Sequence, residues 1–375
     1  MHHLTRAGAR RIAVRAQRLT ADRPTDVHDT VRDLGLLILN PTAAIAPSAD
    51  LVLWSRIGSA YDPRELEDAL DQQSILEYRG TLRVADDLAL YRAEMAAFPG
   101  TGDRVKDWQR SNRQWVADNE GCRQDILEIL RADGPLPISA LPDTCVRPWK
   151  STGWNNNRNV QMLLGIMVQM GDVAPAGGTG RDRLWDLAER VYPQDPPVPL
   201  EEAFRIRDER RLVALGIART RGPEQPVEPV DVGEVGEPAV IEGVRGAWRV
   251  DPAQLDAPFE GRAALLSPFD LLLHDRRRMT DIFEFEYILE MFKPVAARRW
   301  GYFALPVLVG DQLVGKVDAT ADVKAGVLRV HAVHEDQPWS ADARAAVDAE
   351  IEDLAQWLEL DLVRPSGGGS AGRSR

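Results

Sequence analysis

Residues 302–334, "YFALPVLVGDQLVGKVDATADVKAGVLRVHAVH", constrain the fold more than any other stretch of the chain. Apolar and polar side chains alternate through much of it, and Gly310-Asp311 interrupts the run. A period of two sends successive side chains to opposite faces of a strand, and a Gly-Asp pair supplies the backbone freedom of a tight turn. "VLVGDQLVGKVDA" is therefore predicted to be a β-hairpin turning at Gly310-Asp311. Short strands are expected from Gly261 onward, with "ALLSPFDLLLHDRRR" among them. An amphipathic helix over residues 342–360 closes this region, and "RPSGGGSAGRSR" reads as a disordered tail.

The preceding residues follow helical spacing instead. Residues 4–19 are predicted to form the first helix, with Leu4, Ile12, Ala16 and Leu19 on an apolar side. Arg11, Arg15 and Arg18 form a stripe on another side, either a solvated face or a surface for phosphate. "DRPTDVHDTVRDLG" gives a second short helix, with Pro24 near its start and Gly35 as its stop. In "LGLLILNPTAA" the apolar run reads as a strand over residues 36–39, with Asn40-Pro41 as the turn leaving it. Two helical pieces, "DLVLWSRIG" and "DPRELEDALDQQ", then lead to a hairpin in "SILEYRGTLRVADD". Helices followed by a hairpin make residues 1–120 a first, elaborated winged-helix-like unit.

A second winged-helix unit is read over residues 121–193. "GCRQDILEILRADGPLPISALP" supplies a helix, a turn and a short second helix, and "GWNNNRNVQMLLGIMVQMGDV" supplies the third. A glycine-rich hairpin tip and returning strand follow in "APAGGTGRDRLWDLAERVYP". In the third helix Val160, Leu163, Leu164 and Met167 keep core spacing, leaving Asn156, Asn157, Arg158 and Gln161 elsewhere on its first turns. Such residues bond purine edges from the N-terminal turn of a recognition helix; an asparagine run also caps helices. After the hinge "YPQDPPVPLE", residues 194–258 make a third winged-helix-like unit. Its "TRGPEQPVEPVDVGEVGEP" reads as a mobile linker or a long wing, and "AVIEGVRGAWRVD" as a hairpin. Residues 259–362 are the β-rich domain, and 363–375 the tail.

Composition narrows the function classes. At 375 residues the chain is long enough for two to four compact units, and 44% hydrophobic with 28% charged residues is a globular balance. A net charge of −12 argues against non-specific coating of nucleic acid but leaves room for a local basic face. Two cysteines, Cys122 and Cys145, make neither a disulfide framework nor a zinc cluster in the sequence, and suit a reducing cytoplasm. His331 and His334 lie three apart on an expected strand and so point to opposite faces. No metal site is expected from these cysteines and six histidines, and no cofactor is expected; "GGTG" lacks the lysine of a phosphate loop, and no Ser-His-Asp or Cys-His arrangement is visible. The N-terminal "MHHLTRAGARRIAVRAQ" lacks the apolar core of a secretory signal, and no window approaches a membrane span. Arg276, Arg277, Arg278, Arg298 and Arg299 form basic clusters, suited to phosphate or to pairing with Asp275, Asp281 and Glu284.

Several of these stretches together resemble one family. "LVLWSRIG", the "ILEYRG" hairpin start, "LLSPFDLLLHDRRR", "GYFALPVLVGDQLVGKVDATADVKAGVLRV" and the helix after Trp154 are similar, in order and spacing, to the YcaQ-like bacterial winged-helix DNA glycosylases. Those enzymes excise alkylated or crosslinked purines. The likeness runs over about residues 4–358. It implies an α+β fold of tandem winged-helix units followed by a small C-terminal β-rich domain, arranged around damaged or alkylated duplex DNA, with no cofactor.

The family's motif is Gln-x-Asp or Gln-x-Gln after a Leu-Gly strand. On "LGLLILNP" the resemblance puts Ile38 at the first glutamine and Asn40 at the second polar position. The family's histidine pair before "LVLWSR" is replaced by "SAD", which makes Asp50 the nearest carboxylate. Asn40 and Asp50 are thus the candidate catalytic residues, with helix N-capping as the alternative role for Asp50. An N7-alkylated purine already leaves as a good leaving group, so the site must stabilise a cationic sugar and hold a water. An amide orients water but carries no charge, and isoleucine does neither. The expectation is a DNA-binding protein on a glycosylase scaffold with catalysis lost. The alternatives are an active monofunctional glycosylase, or a regulator or interaction module on the same fold, although no dimerising heptad is present to space half-sites.

Overall fold

The alternating C-terminal run forms a sheet in the computed structural model, which describes all residues except 101–104, 151–157, 179–182, 224, 226–227 and 366–375. The described chain makes two compact units, one of Met1–Leu66 with Glu209–Arg375 and one of Glu67–Asp208.

In the first unit, strands Ala263–Leu265, Ala304–Val309, Gln312–Asp322, Val327–Glu335 and Asp361–Val363 lie side by side in chain order. Val309 pairs with Gln312, so Gly310-Asp311 is the two-residue turn, with Gly310 at φ 61°. The closing helix is Ala341–Trp357, capped by the Ser340 hydroxyl accepting from the Ala343 N–H at 3.1 Å. Two expectations change. A register shift between Asp318 and Ala319 makes His331 the extra residue, which breaks the simple alternation from His331 to His334. "ALLSPFDLLLHDRRR" is strand only at its first two residues, which end the strand Ala263–Leu265; helices Leu271–His274 and Arg276–Phe283 follow. The cause is capping, because Asp270 accepts from the Leu272 N–H and Asp275 from the Arg278 N–H, each at 2.9 Å.

A second sheet in this unit has the order His2–Leu4, Glu237–Ile241, Val244–Val250, Ile217–Arg219. The two middle strands are the hairpin expected in "AVIEGVRGAWRVD". The first helix is shorter than its apolar periodicity suggests, covering Arg6–Ala16. Leu4 is taken into a strand by pairing parallel with Ile241, and Thr5 caps the helix by accepting from the Gly8 N–H at 3.0 Å. The second helix is Val27–Leu34, capped by Asp26 and stopped by Gly35 at φ 76°. The Pro/Gly/acid-rich stretch is packed against this unit where it is described, and is not a loose linker there. Val230 and Val232 are buried, and Glu228 pairs with Arg211 at 2.7 Å.

The second unit has its own core, in which Ile126, Leu130, Leu163, Leu164, Met167 and Val173 are buried together. Strands Ile75–Tyr78 and Thr81–Val84 form the hairpin expected in "SILEYRGTLRVADD", with Arg79 and Gly80 at positive φ in the turn. Helix Glu120–Asp133, a 3-10 turn at Ile138–Ala140 and helix Asn159–Met170 pack with a sheet ordered Leu136–Pro137, Leu184–Leu187, Val173–Pro175. The glycine-rich hairpin tip lies largely outside the described residues.

Candidate functional site

The strand at the end of the apolar run is only Leu37–Ile38, and both its side chains are buried. Ser48 holds the chain as it leaves. Its hydroxyl donates to the Ile38 carbonyl at 2.8 Å and accepts the Asn40 backbone N–H at 2.9 Å. The Asn40 side chain closes an Asx turn, its Oδ1 accepting the Thr42 N–H at 2.9 Å. The loop is tied further at Ala44, whose carbonyl accepts from the Ala321 N–H at 2.9 Å. Asn40 is half-buried.

Ser48 also opens the helix Ser48–Ile57, whose N-cap residue is Pro47. Asp50 therefore lies inside the first turn and is not the cap, in contrast to the capping role considered for it. Its Oδ1 accepts the Tyr61 hydroxyl at 2.6 Å. Burial, and then the Asp50 charge, push the Tyr61 hydroxyl far above the ordinary tyrosine range, so it stays a donor. A carboxylate in a first helical turn faces the positive end of the helix dipole. Asn40, through Ser48, and Asp50 are thus brought to the same end of one helix. Ser48 and Tyr61 carried no sequence signal, because their roles rest on partners eight and eleven residues away.

This helix is anchored at its other end. Trp54 stacks on Trp357 at 5.8 Å and donates from Nε1 to Asp353 at 3.1 Å. Trp357 in turn stacks on Tyr61 at 5.9 Å and donates to its carbonyl at 2.9 Å. Arg56 is wholly buried and forms a two-pronged pair with the equally buried Asp270, Nη2 to Oδ1 measuring 3.0 Å. Its Nε donates to the Gln17 carbonyl at 3.1 Å. The Arg of "LVLWSRIG" and the Asp of "LLSPFDLLLHDRRR" are therefore partners.

The arginine stripe of the first helix divides. Arg11 is exposed and lies 5.8 Å over the Phe259 ring. Arg18 follows the helix, at φ 55°, and pairs with Asp33 at 2.7 Å while staying half-exposed. Arg15 turns inward, donating to Gln254 Oε1 at 2.8 Å and to the Gln254, Ala257 and Pro258 carbonyls. In the other basic cluster Arg278 is buried and donates to the Ile217 and Leu215 carbonyls at 3.0 and 2.7 Å. Arg277 stands 3.7 Å from Asp281. Arg298 donates to the Lys293 carbonyl at 3.0 Å and lies over Tyr302, while Arg299 is exposed over Trp300.

In the second unit, Arg158 and Gln161 are both exposed at the start of helix Asn159–Met170, with Arg158 Nη1 3.5 Å from Gln161 Oε1. Asn156 and Asn157 lie outside the described residues. Asn159 is half-buried and accepts from the Trp149 N–H at 2.7 Å.

A mixed helix-and-strand protein with a polar loop stapled to a helix N-terminus is the class that these features define. The chain belongs to the AlkZ-like DNA glycosylase family: the family described as DNA glycosylase AlkZ-like matches residues 31–357. This is the same group as the YcaQ-like family that the sequence resembles. Among solved structures, the Streptomyces sahachiroi DNA glycosylase AlkZ is similar, at 16% identity and a TM-score of 0.63. The alignment covers 97% of this chain and 100% of that one. At that identity it establishes the shared α+β fold. Among the described residues no helix is long and apolar enough to cross a membrane.

Proposed function

We propose that this protein binds duplex DNA carrying alkylated or crosslinked purines and hydrolyses the N-glycosidic bond slowly or not at all. Family membership over residues 31–357 supports the DNA partner. The observation that carries the second half is the state of Asn40. Its amide oxygen already accepts the Thr42 N–H, and the neighbouring Ile38 offers only buried hydrocarbon. Such a pair can place a water but supplies no charge to a developing sugar cation.

On the same reading, residues 121–193 of the second unit make a winged helix. Support comes from helix Glu120–Asp133, the 3-10 turn, helix Asn159–Met170 and the three-stranded sheet, in the order that motif requires. Arg158 and Gln161 are then its base-edge readers, joined by Asn156 and Asn157. Arg158→Ala and Gln161→Ala should each weaken duplex binding by about 1–3 kcal/mol while leaving the melting temperature unchanged, since neither side chain is buried. Wild-type affinity in both variants would move the contact away from this helix.

Phosphate contact is assigned to Arg11 and Arg18, with the inward-turned Arg15 bracing the helix that carries them. Because phosphate neutralisation releases counterions, duplex affinity should fall steeply between low and physiological salt, although the chain is acidic overall. A salt-insensitive isotherm, or no binding at low salt, would remove DNA as the partner.

A second reading is favoured by Asp50. It is a half-buried carboxylate at the helix end that also holds Asn40, with Tyr61 as a donor to it. In this reading the protein is an active monofunctional glycosylase in which Asp50 stabilises the sugar cation, and Asp50→Asn abolishes base release.

A further inference from the structure

The chain has two cysteines, and the second unit brings them together. Cys122 is buried on helix Glu120–Asp133, with its Sγ 3.8 Å from the Pro142 carbonyl. Cys145 is half-buried on the segment that leads toward helix Asn159–Met170. With Asp143 they place two Sγ atoms and a carboxylate oxygen within 4.8 Å of one another. Among the described residues no other set of three His, Cys, Asp or Glu side chains converges in this way.

The carboxylate is held in place from outside. Asp143 accepts the Asn159 Nδ2 at 3.0 and 3.2 Å and the Cys145 backbone N–H at 3.3 Å. Outer hydrogen bonds of this kind orient the carboxylate ligands of metal sites. We propose that Cys122, Asp143 and Cys145 bind Zn²⁺, with water as the fourth ligand, and so clamp helix Glu120–Asp133 to the start of helix Asn159–Met170.

The donor set argues for this ion. Two thiolates and one carboxylate suit a borderline-soft divalent cation, and three protein ligands with one open position are an established zinc coordination. With Zn–S at about 2.3 Å and Zn–O at about 2.0–2.2 Å, tetrahedral ligands stand roughly 3.5–3.8 Å apart, so closing the observed set needs only small side-chain shifts. Each thiol gives its proton to water as it takes the metal. A disulfide would use the two sulfurs but leave the oriented carboxylate beside them without a purpose. The site contains neither Asn40 nor Asp50 and stands whether or not the protein excises bases.

The test is titration of the reduced, metal-free, full-length protein with Co²⁺, followed by absorption. One equivalent should produce a near-ultraviolet sulfur-to-cobalt charge-transfer band and the visible bands of a tetrahedral ion, both bleached by Zn²⁺. Cys122→Ser and Cys145→Ser should each weaken the charge-transfer band, and the double variant should lose it. Asp143→Asn should keep thiolate character but bind more weakly by at least the roughly 10-fold that loss of an outer hydrogen-bond partner costs a metal site. Zn²⁺ should raise the melting temperature of the wild type and not of the double cysteine variant. Circular dichroism checks folding, and the half-buried Cys145→Ser carries the test if Cys122→Ser does not fold. A reduced wild type without the charge-transfer band, or a band unchanged in Cys145→Ser, overturns the proposal. So does a protein isolated with its two thiols joined as a disulfide that binds no Co²⁺ after reduction.

Discussion

Duplex DNA containing N7-methylguanine is expected to release its alkylated base slowly or not at all with the wild-type protein. The double change Ile38→Gln with Asn40→Asp should raise single-turnover release by about 10²-fold or more. The direction follows from charge. The leaving purine is already cationic, so the barrier that remains is the positive sugar and the delivery of water. Asn40 spends one lone pair of its amide oxygen on the Thr42 N–H and has no charge to offer. An aspartate in its place keeps the acceptor for Thr42 and adds a negative charge, while glutamine at residue 38 supplies a second polar anchor. Single oriented dipoles or charges at reacting centres change rates by about 10²–10³-fold, which sets the expected size. Rapid release by the wild type that ignores Asn40→Ala would place the chemistry elsewhere. Asp50→Asn is then the decisive variant.

Loss of the buried ion pair should have the largest effect on stability. Asp270→Ala is expected to lower the free energy of unfolding by about 3–5 kcal/mol, and Arg56→Ala similarly, seen as a fall in the urea midpoint. Both side chains are fully buried, so removing one strands the other's charge away from water. Asp270 also caps helix Leu271–His274 by accepting the Leu272 N–H, and Arg56 also holds the Gln17 carbonyl. Replacing both residues by apolar side chains of similar volume should therefore recover part of the loss but not all of it. Single variants within about 1 kcal/mol of the wild type would mean that water reaches the pair. Because a domain is held by only about 5–15 kcal/mol, the single changes should also reduce the yield of folded protein.

Much was legible from pattern alone. The period-two run around Gly310-Asp311, the turn at Arg79-Gly80, the core spacing of Val160, Leu163, Leu164 and Met167, and the stop at Gly35 each rest on local backbone geometry, which a short sequence window contains. The family was legible too, and two of the stretches that carry the resemblance meet through Arg56 and Asp270.

Only the tertiary structure decided the rest. Leu4 joined a strand because Ile241, far along the chain, offered it hydrogen bonds. "ALLSPFDLLLHDRRR" turned helical where two aspartate side chains captured backbone N–H groups, against the strand reading of its apolar run. Arg15 and Arg18 look alike in a helical stripe, yet one guanidinium is filled by carbonyls of residues 254–258 and the other stays near solvent. The convergence of Cys122, Asp143 and Cys145, and the Ser48 staple on Asn40, are likewise distances between segments. Local periodicity sets which face of an element is apolar. Which polar partner waits opposite a given side chain depends on how segments remote in sequence pack, and no single window of sequence contains that information.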